Sequence, residues 1–118
     1  MSSKLNNYLR THRKRAGLSQ DEVAYLLGCQ GGAKVSRYER FARQPPLQTA
    51  LAYEAIFGVP VRELFAGLFH RVEGPIVRRA QSLARKLHTA KPDRLTTRKL
   101  QVLRAVASAP VPAPDDRS

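Results

Sequence analysis

The sequence predicts an all-α fold. Apolar residues return every three or four positions in one short segment after another. A glycine, a proline or a capping residue closes each segment. Almost nothing in the chain reads as strand.

The first helix is expected from about Leu5 to Ala16. Leu5, Leu9 and Ala16 share a side, with His12 between them, and Gly17 supplies the stop that a glycine just past a helix gives. Ser19 followed three residues later by Glu22 is a capping box, with Leu18 in front as a staple. The second helix carries Val23, Ala24, Leu26 and Leu27 as its apolar stripe, and Gly28 ends it. Cys29-Gln30-Gly31-Gly32-Ala33 reads as a turn. A third helix then runs from Ala33 to about Phe41, with Val35 and Tyr38 inward and Lys34, Ser36, Arg37 and Arg40 over the remaining surface.

Pro45-Pro46 breaks the chain. Leu47–Phe57 forms a fourth helix on the period of Leu47, Leu51, Ala55 and of Ala50, Glu54; Gly58 closes it. Pro60 opens a fifth, whose apolar side is Val61, Leu64, Phe65 and Leu68. Past Gly74-Pro75, a sixth helix sets Ile76, Ala80, Leu83, Ala84 and Leu87 against Arg78, Arg79, Arg85, Lys86 and His88. Lys91-Pro92-Asp93 is a break, and Thr96 or Thr97 caps a seventh helix holding Leu100, Leu103 and Val106. The Pro-rich tail from Pro110 reads as disordered. The organisation expected is a helical domain over residues 1–69, a basic helical extension over 70–108 and a loose tail over 109–118.

Charge narrows the partner. The 118 residues hold 21 Lys and Arg against 9 Asp and Glu, a formal +12. Residues 1–45 carry +6, residues 46–69 carry −1 and residues 70–108 carry +8. Two basic blocks flank a nearly neutral one, which is the expected packing layer. So large a positive charge suits a polyanion, and charge alone does not choose among DNA, RNA, an anionic membrane and an acidic protein. A single cysteine, Cys29, excludes an internal disulfide and fits a reducing compartment. The start of the chain leads into no apolar signal run, and no stretch approaches the roughly 18 apolar residues of a membrane span. The expectation is a soluble, cytoplasmic protein with no membrane partner.

Enzyme chemistry finds no support. Cys29 has no meaningful spacing to His12, His70 or His88, and a metal centre needs more ligands than these. Gly31-Gly32 follows a helix and not a strand, so it is no phosphate cradle. No catalytic residue, metal or cofactor is expected.

Two short helices joined by a glycine-containing turn are the physical core of helix-turn-helix recognition. The run Ala16-Gly17-Leu18-Ser19-Gln20-Asp21-Glu22-Val23-Ala24-Tyr25-Leu26-Leu27-Gly28, followed by Val35-Ser36-Arg37-Tyr38-Glu39-Arg40, resembles the Cro and lambda-type repressor helix-turn-helix family, also called XRE-like. Gly58-Val59-Pro60-Val61-Arg62-Glu63-Leu64-Phe65 is similar to that family's fifth helix, and the resemblance covers about Leu5–Phe69. It implies a five-helix lambda-repressor-like domain that binds double-stranded DNA as a small transcriptional regulator, in the repressor sense. By the same resemblance, Gln20 grips a phosphate and braces the reading helix, and Arg13 partners the carboxylate of Glu39. Gly32, Ala33 and Arg37 match outward positions that face base edges, with Lys34 and Ser36 beside them. Arg40 and Arg43 match the loop along the DNA backbone, and Arg10 or Lys14 are further phosphate candidates.

The sequence departs from the family in the turn. Six residues separate Gly28 from Val35, where five are usual. Gly32 has no side chain to read a base, but its N–H can approach a phosphate closely. Arg37 becomes the leading base reader, since its guanidinium can bind guanine O6 and N7 together. Plainer roles stand beside these: a surface arginine for Arg37, a core ring for Tyr38, a small hydrophobe for Cys29, and a solvated face for the basic side of the sixth helix.

One such unit makes few contacts, so a homodimer on a palindromic site, with half-sites about 34 Å apart, is expected. The apolar faces of Ile76–Leu87 and Leu100–Val106 serve either that dimer or the first domain. Two other functions stay open: an antitoxin-like module that binds a partner protein, and non-specific nucleic-acid binding by charge alone.

Overall fold

The computed structural model describes residues 5–89 and 93–108. Among these residues the fold is all-α, with seven helices: α1 (Leu9–Ala16), α2 (Gln20–Leu27), α3 (Ala33–Glu39), α4 (Leu47–Phe57), α5 (Val61–Leu64), α6 (Ala66–His88) and α7 (Arg94–Ala107). The chain divides into two compact units between Phe69 and His70.

In the first unit, local signals set most helix ends. The capping box forms in both directions: Glu22 N–H donates to Ser19 Oγ at 3.0 Å, and Ser19 N–H donates to Glu22 Oε1 at 2.8 Å. Gly17, Gly28 and Gly58 follow α1, α2 and α4 with φ of 76°, 82° and 68°. A side chain there would meet its own backbone, so glycine ends these helices cheaply.

The start of α1 differs from the expectation. Leu5–Tyr8 is not helical, because long-range bonds hold it. Tyr8 N–H donates to Leu64 O at 2.7 Å, and Gly67 N–H donates to Leu5 O at 2.8 Å. Buried Asn7 donates from Nδ2 to Tyr38 O at 3.0 Å and accepts from Leu9 N–H at 3.0 Å. The inward face of α1 is accordingly Leu9 and Arg13, while Leu5 and Ala16 are exposed.

The core joins Leu9, Val23, Ala24, Val35, Tyr38, Ala50, Tyr53, Leu64 and Phe65. The predicted stripe of α4 turns out to lie outward at Leu47 and Leu51, which are exposed, and the helix packs through Ala50 and Tyr53. Large aromatic area explains the choice. Tyr53 meets Tyr38 edge-on at 6.3 Å and stacks on Phe57 at 6.0 Å, and His12 lies 6.0 Å from Phe57. Burying these rings returns more than burying two leucines. Leu26 also faces out, beside the exposed Tyr25. The fifth helix is shorter than expected. It ends at Leu64, and Phe65 separates it from α6.

The expected interruption at Gly74-Pro75 does not occur, since α6 runs through it. Proline in a helix interior lacks one N–H and costs about 3 kcal/mol. The apolar positions Val72, Ile76, Ala80, Leu83 and Leu87 nevertheless keep one helical phase across the pair. A continuous helix is the conformation that keeps them on one side. In the second unit, Asp93 caps α7 where a threonine was expected. Its Oδ1 accepts the Thr96 N–H at 2.7 Å, which holds the carboxyl below its usual range. Lys91, Pro92 and the tail expected to be disordered lie outside the described residues.

One core atom is unsatisfied. Tyr53 is fully buried, and its hydroxyl has no hydrogen-bond partner among the described residues. Burial, first of all, pushes that phenol far above its ordinary range. An orphaned buried polar group costs about 1–3 kcal/mol. Tyr53→Phe is therefore expected to keep or raise stability, by about 1 kcal/mol. Denaturant titration checks this, and a clear loss would reveal a partner for the hydroxyl.

Candidate nucleic-acid interface

The period of α3 divides it into two faces. Val35, Tyr38 and Glu39 are buried, whereas Ala33, Lys34, Arg37 and Arg40 are exposed. The outer side thus carries three cations and no large apolar side chain, the condition for entering a groove of a polyanion. Ser36 is half-buried and accepts from Arg40 Nε at 3.2 Å, so these two side chains hold each other. Arg43 is exposed beyond the helix.

The inner side of α3 is fixed by a charged cluster. Arg13 on α1 donates from Nε to Glu39 Oε2 at 2.6 Å and from Nη2 to Glu39 Oε1 at 3.1 Å. Its Nη1 donates to Leu18 O at 3.0 Å. Gln20, the first residue of α2, donates from Nε2 to Glu39 Oε1 at 3.1 Å. Side-chain exposure is 11% for Arg13 and 3% for Glu39, so the pair is largely out of water. The hydrogen bond to Glu39 raises the Arg13 pKa, and burial opposes it. Arg13, Glu39 and Gln20 thereby join α1, α2 and α3 through one carboxylate. Gln20, expected to grip a phosphate and brace the reading helix, directs its Nε2 to Glu39.

The longer turn has its own fastening. Gly32 N–H donates to Asp21 Oδ1 at 2.9 Å. A Cβ on Gly32 would stand 2.8 Å from that oxygen, 3.1 Å from Gln20 Cβ and 3.3 Å from Asp21 N. Gly32 is thus needed for the close approach of the turn to the start of α2, and its N–H is committed to protein. Gly31 has nothing within 4 Å of such a Cβ.

Sequence reasoning missed three contributors. Asp21 fastens the turn, and its signal was an acid in the first turn of α2 facing a glycine pair. Asn7 ties the chain start to Tyr38 O, and only the long-range contact reveals it. Phe41 is the sole non-glycine residue with positive φ among the described residues, at 65°. It terminates α3, with Ala42 N–H donating to Arg37 O at 2.9 Å. Glycine is the usual occupant of that conformation, and nothing in the sequence marks a phenylalanine for it.

A family model described as a helix-turn-helix domain matches residues 5–66, more than half of the chain. The chain belongs to that family. Its helix-turn-helix unit is α2, the turn from Gly28 to Gly32, and α3, so the exposed cations sit on the second helix of the pair. Searches of curated proteins and of solved structures returned no match. Among the described residues no group of side chains could hold a metal ion, and no helix is long and apolar enough to cross a membrane.

Two stability measurements probe this architecture. Glu39→Ala strands the Arg13 charge, and loss of one partner from a buried pair costs about 3–5 kcal/mol. A double replacement of Arg13 and Glu39 by leucine should recover much of that loss; an unchanged melting curve for Glu39→Ala would refute the cluster. Gly32→Ala should cost about 1–3 kcal/mol through overpacking, while Gly31→Ala stays within about 0.5 kcal/mol of the parent.

Proposed function

We propose that this protein is a sequence-reading binder of double-stranded DNA that acts by occupying an operator, as a small transcriptional regulator of the repressor type, without catalysis. The observation that carries the reading is the outer face of α3. Lys34, Arg37 and Arg40 are exposed there, while the opposite face is locked through Glu39 to Arg13 and Gln20. A reading helix must offer donors and must not rotate, and this one meets both needs.

In this reading α1–α5 form the five-helix, lambda-repressor-like (XRE-like) domain, and residues 70–108 are its basic helical extension. α3 enters the major groove with Arg37 as the principal base reader and Lys34 beside it. Arg40, Arg43 and the N-terminal end of α2 run along phosphates. Gly32 and Ala33 lie at the entry of α3, where the Gly32 N–H already serves Asp21. The protein works as a cytoplasmic homodimer on paired half-sites, since one short helix reads few bases.

Enrichment of bound duplexes from a random pool tests the reading. A selected site should bind roughly a thousand-fold or more better than random duplex. Near-equal binding with a steep salt slope would leave only charge attraction. Arg37→Ala should reduce discrimination at its base pair by about 1–3 kcal/mol and leave binding to random duplex much less affected. A parallel fall of both would make Arg37 a backbone contact.

A further inference from the structure

We propose that a stripe of α6 in the second unit is a separate duplex-DNA contact, made to phosphates alone. The inference rests on the duplex-binding reading above and adds a surface that the helix-turn-helix unit does not include. The stripe is Arg71, Arg78, Arg79, Arg85 and Lys86, all exposed. Arg71, Arg78 and Arg85 repeat every seven residues, as do Arg79 and Lys86. At about 100° per residue the five fall within roughly one-third of the helix circumference. At 1.5 Å per residue they extend over about 22 Å.

Among the described residues none of these cations forms an ion pair. Among the described residues the one ion pair is Arg13 with Glu39, in the other unit. The one acid on α6 beyond His70 is Glu73, whose position falls outside the stripe. Rows separated by two helical turns stand about 10 Å apart, close to one Debye length in physiological salt, so their repulsion is only partly screened. A polyanion relieves that repulsion, and a solvated face does not.

A duplex is favoured over a lipid surface because the same chain carries a helix-turn-helix domain. A helix lying in a membrane inserts its apolar side. On α6 that side is covered at Ala80, 5% exposed, while Val72, Ile76 and Leu83 stay about half exposed, so vesicle binding is measured beside duplex binding. Four of the five cations are arginines, whose planar fork suits the phosphate-diester oxygens that line a duplex. None of the five reads bases in this proposal, so the stripe adds affinity and not discrimination.

The test uses the full chain and two duplexes, one selected from the random pool and one scrambled. Arg78, Arg79 and Arg85 are replaced together by glutamine, and binding is measured against salt. Each lost phosphate contact lowers the slope of log K against log salt by roughly 0.9, so a fall of about 2–3 is expected. Affinity for both duplexes should drop in parallel, with their ratio unchanged. A charge-matched variant on α7, with Arg94, Arg98 and Arg104 replaced by glutamine, should change the slope by less than about 1. Far-ultraviolet dichroism establishes that both variants keep their helices. The proposal is overturned if the α6 variant keeps the parental slope, or if the α7 variant lowers it equally. It is also overturned if the α6 substitutions abolish binding to phosphatidylserine vesicles while duplex binding is untouched. Failure of the parent chain to bind any duplex would instead remove the underlying reading, and this inference with it.

Discussion

The placement of α3 depends on a single carboxylate. Glu39 accepts from Arg13 on α1 and from Gln20 on α2, so one side chain fixes two inter-helix distances at once. Burying a charged pair gains little net stability, because desolvation offsets most of the attraction. What the pair supplies is direction. Arg13 meets the carboxylate through two nitrogens of a rigid plane, and its third nitrogen is bound to Leu18 O. The inner face of α3 can therefore adopt few orientations, and the outer face inherits that restriction.

The turn preceding α3 illustrates how an insertion is absorbed. The turn between Gly28 and Val35 has to be accommodated without disturbing the core that Val23 and Val35 share. The pair Gly31-Gly32 folds back until the Gly32 N–H reaches Asp21. A side chain at the second glycine would collide with the start of α2. The glycine at position 32 thus has a structural task, and its N–H is already bonded within the protein.

The legible part of the fold was local. Ser19 with Glu22, and the glycines after α1, α2 and α4, act on backbone within a few residues of themselves, so their effect can be read without knowing the rest. What escaped depends on partners far away in sequence. Leu5–Tyr8 stays out of the helix because Leu64 O and Tyr38 O lie beside it. The α4 stripe lies one step round from its expected place because three aromatic rings stack better than Leu47 and Leu51 would. Pro75 sits inside a helix because the apolar phase on both sides agrees. At the interface, helical period separated the outward cations of α3 from its buried side. The pairing of Arg13 with Glu39 came from family resemblance, and the direction of the Gln20 amide from the coordinates.

Arginine at position 13 has a consequence for control. Its hydrogen bonds to Glu39 lift a group that is already protonated throughout the neutral range. Acid has no proton to add to the guanidinium, and alkalinity within physiological limits removes none. The arginine half of the anchor therefore keeps its charge across that range, and pH can act on the placement of α3 only through other groups.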